Sequence, residues 1–288
     1  MVLIINLKNN NNDQNDYMKA IVNKHYRANK INKPKLIFSG GSNLAFGLDS
    51  KKVEKQIGLP VVNMGLHAGL GLDFILKELM DVSKPYDIIV FSPEYSISPD
   101  GQYGLKKQTA IHLNKCKKYY STNISKEISR QINDLRNLIK KPKLSLEEVF
   151  SKESIYKSSS FDNYGDINGN KFQDRLLDIG TENLNRSWSS KLKSIKMLKE
   201  YASKNKIEIF FLYPSYNLSS YEKNEVEINN YANQIQKELN FNTLGKPIDQ
   251  VFEDSLFYDY YYHLNNIGRQ KRTQKVIKKL KKKMELNL

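Results

Sequence analysis

The chain has 288 residues, 39% hydrophobic and 11% aromatic, and a net charge of +15. This suits a soluble globular protein with a sizeable core, and no apolar run approaches the ~20 residues of a membrane-spanning helix. A single cysteine, Cys116, excludes an internal disulfide and a cysteine-cluster metal site; it reads as an incidental thiol in a basic stretch.

The opening MVLIINL is too short for a signal-peptide core and lacks a small-residue cleavage pattern. Residues 2–7 equally fit the end of a lost anchor, so cytoplasmic and extracytoplasmic locations both stay open. Residues 1–33 form a lead-in, with a short helix over 17–27. Residues 35–39 (KLIFS) follow Pro34 and end at Gly40-Gly41, the pattern of a buried strand. A helix over 49–57 stops at Gly58, and a second strand covers 60–64 (PVVNM). A helix over 72–82 and a third strand over 86–92 (YDIIVFS) complete a strand–helix alternation, which predicts a parallel sheet.

The rhythm is lost from 96 to 185, which reads as an inserted, mostly helical cap or lid with helices over 125–140 and 145–154. Residues 162–170 (DNYGDINGN) lack the spaced carboxylates and terminal Glu of an EF-hand, so a substrate-selecting loop is expected there. The alternation resumes with a helix over 187–204, a strand over 207–213 (IEIFFLY), a helix over 222–239 and a final helix from 266. The fold class predicted is α/β, a three-layer α/β/α sandwich with a mainly parallel sheet, as one domain over 1–288.

Much of the charge lies in residues 269–283, where nine Lys and Arg alternate with Val276, Ile277 and Leu280 at helical spacing. The ordinary reading is a solvated outer face with cations at a helix C-terminus. No nucleic-acid motif accompanies it, and nucleic acid is not expected as a partner. An anionic glycan and peripheral association with a membrane surface remain open as partners of that helix.

In open α/β sheets functional groups gather beyond the C-terminal strand ends. Ser42 sits there in a Gly-Gly-Ser turn, with backbone N–H groups placed to stabilise an oxyanion. A hydroxyl nucleophile needs a base oriented by a carboxylate, and His263 lies in a carboxylate- and tyrosine-rich loop late in the chain. Neither the P-loop spacing nor the G-x-S-x-G elbow is present.

Three segments resemble the SGNH/GDSL hydrolases: 36–43 (LIFSGGSN), 61–69 (VVNMGLHAG) and 259–268 (DYYYHLNNIG). The resemblance implies a flavodoxin-like SGNH fold, with Ser42 as nucleophile, His263 as base and Asp259 as its carboxylate, one residue further away than usual. Asp254 is a more distant fallback. It implies a glycine N–H of the second segment, Gly65 or Gly69, as an oxyanion donor, with Glu94 standing where the family supplies an Asn. Either Asn43, beside the nucleophile, compensates for that loss or the hole relies on backbone donors. His67 either touches substrate or braces its loop. The variant pattern is similar to esterases and O-acetyltransferases of bacterial surface polysaccharides. It implies a carbohydrate or acyl-ester substrate, with no cofactor and no metal. The competing expectation, from the missing Asn, is a non-catalytic glycan-binding protein on a degenerate scaffold. Of the tyrosines at 258 and 260–262, at least half are expected in the core, with the rest free to stack on sugar rings.

Overall fold

The computed structural model describes residues 16–120, 155–168, 179–184 and 188–285. The lead-in forms α1 (Ala20–Lys30). Then come β1 (Leu36–Gly40), α2 (Ser42–Gly47), α3 (Ser50–Ile57), β2 (Val61–Asn63), α4 (Leu72–Val82), β3 (Ile88–Ser92) and α5 (Tyr103–His112). Further along are α6 (Ser189–Lys204), β4 (Glu208–Phe211), β5 (Tyr216–Asn217), α7 (Leu218–Lys223) and α8 (Glu225–Asn233). Last come β6 (Val251–Phe252) and α9 (Asn266–Glu285).

The protein is mixed α/β, with a four-stranded parallel sheet in the order β2-β1-β3-β4. Side chains alternate across each strand. Ile37, Ile89 and Phe211 pack with Leu79 of α4 and Leu198 of α6, whereas Phe38, Val90 and Phe210 pack with Val53 of α3 and Val276 of α9. Burying each such side chain contributes about 1.5–3 kcal/mol. Helices therefore cover both faces, an arrangement compatible with an α/β sandwich.

Local chemistry sets the ends. The Asp49 side chain accepts the Lys52 N–H (2.9 Å) to start α3, and Gly58 at φ 81° closes it. Lys35 and Asp87, both buried, tie the first turns of β1 and β3 together through Nζ–Oδ2 (2.7 Å) and Lys35 N–H to Oδ1 (3.0 Å). From β1 the chain moves outward to β2, then crosses back to β3 on the other side. The crevice between the C-terminal ends of β1 and β3 is thus the switch point where ligands bind in such sheets.

Some expectations are corrected. The lead-in is part of the core, with Met18, Ile21 and Ala28 fully buried. The helix predicted over 222–239 breaks at Asn224. There the backbone leaves helical geometry (φ −123°, ψ 20°), and the side chain accepts the Leu184 N–H (2.8 Å) and donates to the Glu182 carbonyl (2.9 Å). Cys116 is buried, and desolvation pushes its thiol well above the usual range. In α9, Lys271, Lys275, Lys278, Lys281 and Lys282 are exposed as expected, but Arg269 and Arg272 turn inward and Ile267 faces out.

The helices predicted over 125–140 and 145–154 lie outside the described residues. The described parts of 96–185 dock on the body. Ser98 accepts the Leu72 N–H (2.9 Å), Tyr164 accepts the Asn63 N–H (2.9 Å), and Ile167 donates to Ala45 (2.9 Å). The loop at 162–168 is anchored by Asp166, whose buried carboxylate accepts the Ser50 N–H (2.6 Å) and Oγ–H (2.7 Å). No helix among the described residues is long and apolar enough to cross a membrane.

Candidate active site

β1 delivers Ser42 to the switch-point crevice as the first residue of α2. The partner loop comes from β6 and α9. There the Tyr258 N–H reaches the His263 carbonyl (2.8 Å), and the His263 N–H reaches Tyr260 (2.9 Å). This curls 258–263 so that residues four apart face the same way. Asn265 then accepts the Gly268 N–H (3.0 Å) and caps α9.

The result is a relay. Ser42 Oγ lies 2.8 Å from His263 Nε2, and His263 Nδ1 lies 2.9 Å from Asp259 Oδ1. The network assigns the imidazole proton to Nδ1, which leaves the Nε2 lone pair to accept the serine proton. The one-residue shift in spacing is absorbed by the curled loop. Asp254 is elsewhere, accepting the Ser219 N–H (3.1 Å) and hydroxyl (2.5 Å).

Three aromatic residues that sequence reasoning missed complete the surroundings. The Tyr156 hydroxyl donates to Asp259 Oδ2 (2.5 Å) and sits 3.3 Å from His263 Nδ1. Burial, and then the charge of Asp259, push the Tyr156 phenol far above its usual range, so it remains a donor. Phe46 stacks flat on the His263 ring, centroids 3.9 Å apart and planes within 5°, a placement whose ring face favours a cationic over a neutral imidazole. Tyr17 donates to the Leu66 carbonyl (2.9 Å) and meets His67 edge-on. No local pattern marked Tyr156 or Tyr17, since both act across long sequence separations.

Ser42, Asp259 and His263 open on a cavity of about 870 Å³, also lined by His67, Gly69, Ser98, Gln102, Tyr156 and Tyr260. That is the size of a small-molecule site. Tyr258 and Tyr262 are buried, whereas Tyr260 is 38% exposed at the cavity.

The expected oxyanion donors fare differently. Asn43 is fully buried, its Nδ2 donating to the Ser92 carbonyl (2.9 Å) and its Oδ1 accepting from Arg272 (2.9 Å). It holds the turn from behind instead of facing the cavity. The Gly65 N–H is spent on Asn63 Oδ1 (2.9 Å), and the Gly69 N–H on His67 Nδ1 (2.8 Å). Gly65 still matters sterically, because a Cβ there would lie 2.6 Å from Leu44 Cβ and 2.8 Å from the Gly41 carbonyl.

Glu94 is corrected too. It is buried, and its two oxygens accept the N–H groups on either side of Ser42, from Gly41 (3.1 Å) and Asn43 (2.9 Å). A carboxylate offers only acceptors and needs such donors, which is why it turns to the backbone and away from the cavity. Gly41 permits the approach, as a Cβ would sit 2.3 Å from Oε2. Arg272 completes the support, donating to the Asn43 carbonyl (2.7 Å) and to Gln250 (3.2 Å). Burial pushes its guanidinium down to about 9, and the charge of Glu94 opposes that shift.

His67 is neutral at pH 7. Burial, and second the charge of His263, push its imidazole down to about 4. Among the described residues no group of His, Cys, Asp and Glu is arranged to hold a metal ion. Compared with known proteins, the chain matches no family model and no curated sequence.

Proposed function

We propose that this protein is a serine-dependent acyl-ester hydrolase or O-acyl transferase on an SGNH-type, flavodoxin-like α/β/α scaffold, acting on an acetyl-type ester of a carbohydrate. One observation carries the reading: the Ser42–His263–Asp259 relay, at 2.8 and 2.9 Å, opens on a cavity large enough for a sugar ring and its acyl group. The SGNH scaffold and a surface polysaccharide as natural substrate rest on the resemblance of the three sequence segments.

The chemistry follows from the geometry. Ser42 Oγ attacks the ester carbonyl carbon as its proton passes to His263 Nε2. Asp259 holds the imidazole in orientation and stabilises the imidazolium through Nδ1–H. The tetrahedral oxyanion collapses, the C–O bond to the alcohol breaks, and His263 returns the proton to the departing alkoxide. Water or a second sugar hydroxyl then attacks the acyl-enzyme by the same steps in reverse order. Esterase and transferase differ only in that acceptor. Ser96, Ser98 and Gln102 give the cavity hydroxyl and amide groups for sugar hydroxyls, and the exposed Tyr260 ring offers a stacking face.

The test is turnover of an activated acetyl ester, with and without carbohydrate acceptors. Wild type should turn over, and Ser42→Ala should lose at least about 10³-fold. Equal rates for the two would overturn the reading. The competing reading, a glycan-binding protein without catalysis, draws on one observation: the N–H groups of Gly65 and Gly69 and the Asn43 amide are engaged internally. Glycan binding with no turnover by wild type would favour it.

A further inference from the structure

With those expected donors engaged, the oxyanion must be met by others. Ser42 N–H has no partner among the described residues, and it lies at the nucleophile itself. A second donor is found in the loop after β2. The His67 ring lines the same cavity as Ser42. Its Nδ1 accepts the Gly69 N–H at 2.8 Å, a bond available only if Nδ1 carries no proton. In a neutral ring the proton is therefore on Nε2, which has no partner among the described residues.

Resting on the acyl-transfer reading above, we propose that His67, held as the Nε2–H tautomer by the Gly69 N–H, donates to the oxyanion formed when Ser42 attacks. His67 keeps its proton throughout. As the Ser42 Oγ–carbon bond forms and the carbonyl π pair moves onto oxygen, the serine proton goes to His263, and Nε2–H of His67 only hydrogen-bonds the new negative charge. The two histidines thus separate their roles, one as base and one as neutral electrophilic donor. Charge on His263 during the reaction reinforces the separation, since it further disfavours protonation of His67. The Tyr17 edge against the ring, centroids 6.3 Å apart, limits its rotation.

The experiment has a spectroscopic and a kinetic arm. Long-range ¹H–¹⁵N correlation on the full chain at pH 7 should show His67 Nδ1 unprotonated and Nε2 protonated; an Nδ1–H tautomer or an imidazolium overturns the proposal whatever the activity. In the kinetic arm, His67→Phe, folded by its thermal midpoint, should lose about 10²–10³-fold in kcat on an activated acetyl ester with little change in KM. His67→Gln, which restores a side-chain N–H, should recover part of that loss. An unchanged kcat in a folded His67→Phe, or an effect confined to KM, overturns the donor role while leaving the Ser42 reading intact. Absence of turnover and of serine labelling in wild type overturns both.

Discussion

Glu94→Gln separates what the structure says of that residue from what its sequence position suggests. If position 94 faced the cavity, an amide there would add the oxyanion donor that the SGNH pattern takes from its Asn and would raise kcat. In the structure both carboxylate oxygens accept backbone N–H groups, at 3.1 and 2.9 Å, and the residue is 1% exposed. Glutamine keeps one acceptor and turns an NH₂ against the other N–H. A lost charge-assisted hydrogen bond costs about 1.5–3 kcal/mol and a stranded buried donor about 1–3, so roughly 3–5 kcal/mol should be lost. Removing the carboxylate also takes from buried Arg272 a charge that supports its ionised form. At about 2–4 °C per kcal/mol for a chain of this size, the thermal midpoint should fall on the order of 10 °C, with kcat falling as the Ser42 turn loosens. A midpoint within about 2 °C of wild type, together with a raised kcat, would refute the reasoning.

Tyr156→Phe removes the hydroxyl that donates to Asp259 Oδ2; kcat should drop about tenfold, near the low end of a hydrogen bond to a charged group, with the fold retained by circular dichroism. His67 makes stability depend on pH with a defined sign. Its folded value of about 4 lies below the 6.5 of the free side chain, so the unfolded chain gains a proton first as pH falls. Stability should therefore decline from about pH 6.5 to 4, by up to about 1.4 kcal/mol per pH unit, and urea titrations of His67→Gln should lack that component. Arg272→Met should lose about 3–5 kcal/mol in urea denaturation, because the Asn43 carbonyl and side-chain oxygen are both left without their buried charged donor and Glu94 loses a nearby positive charge.

The strands were readable because KLIFS, PVVNM, YDIIVFS and IEIFFLY are apolar runs punctuated by Pro and Gly, a local signal that tertiary packing reinforces. That Ser42 and His263 come together, 2.8 Å apart, was readable from a Gly-Gly-Ser turn at a strand end and from a histidine in a carboxylate- and tyrosine-rich loop ahead of the last helix. The Asp259 spacing became intelligible only with the curl of 258–263, which is a hydrogen-bond pattern and not a residue type. Helix α5 was missed because Leu105 and Ala110 are too few among Lys, Gln and Thr to give a periodicity. Composition also misplaced Arg272, since a Lys/Arg run reads as solvated while one member can turn inward if the turn behind Ser42 offers acceptors. Glu94 carried no local sign that it would meet backbone donors 51 and 53 residues away. The His67–Gly69 bond spans only two residues and was within reach of sequence reasoning, as a histidine before a tight glycine turn.

Labelling by a serine-directed fluorophosphonate, mapped by peptide mass, tests the relay most directly. Wild type should be modified at Ser42 alone, Ser42→Ala should not be modified, and His263→Ala should react far more slowly than wild type. Modification that persists in Ser42→Ala, or wild-type speed in His263→Ala, would contradict the account.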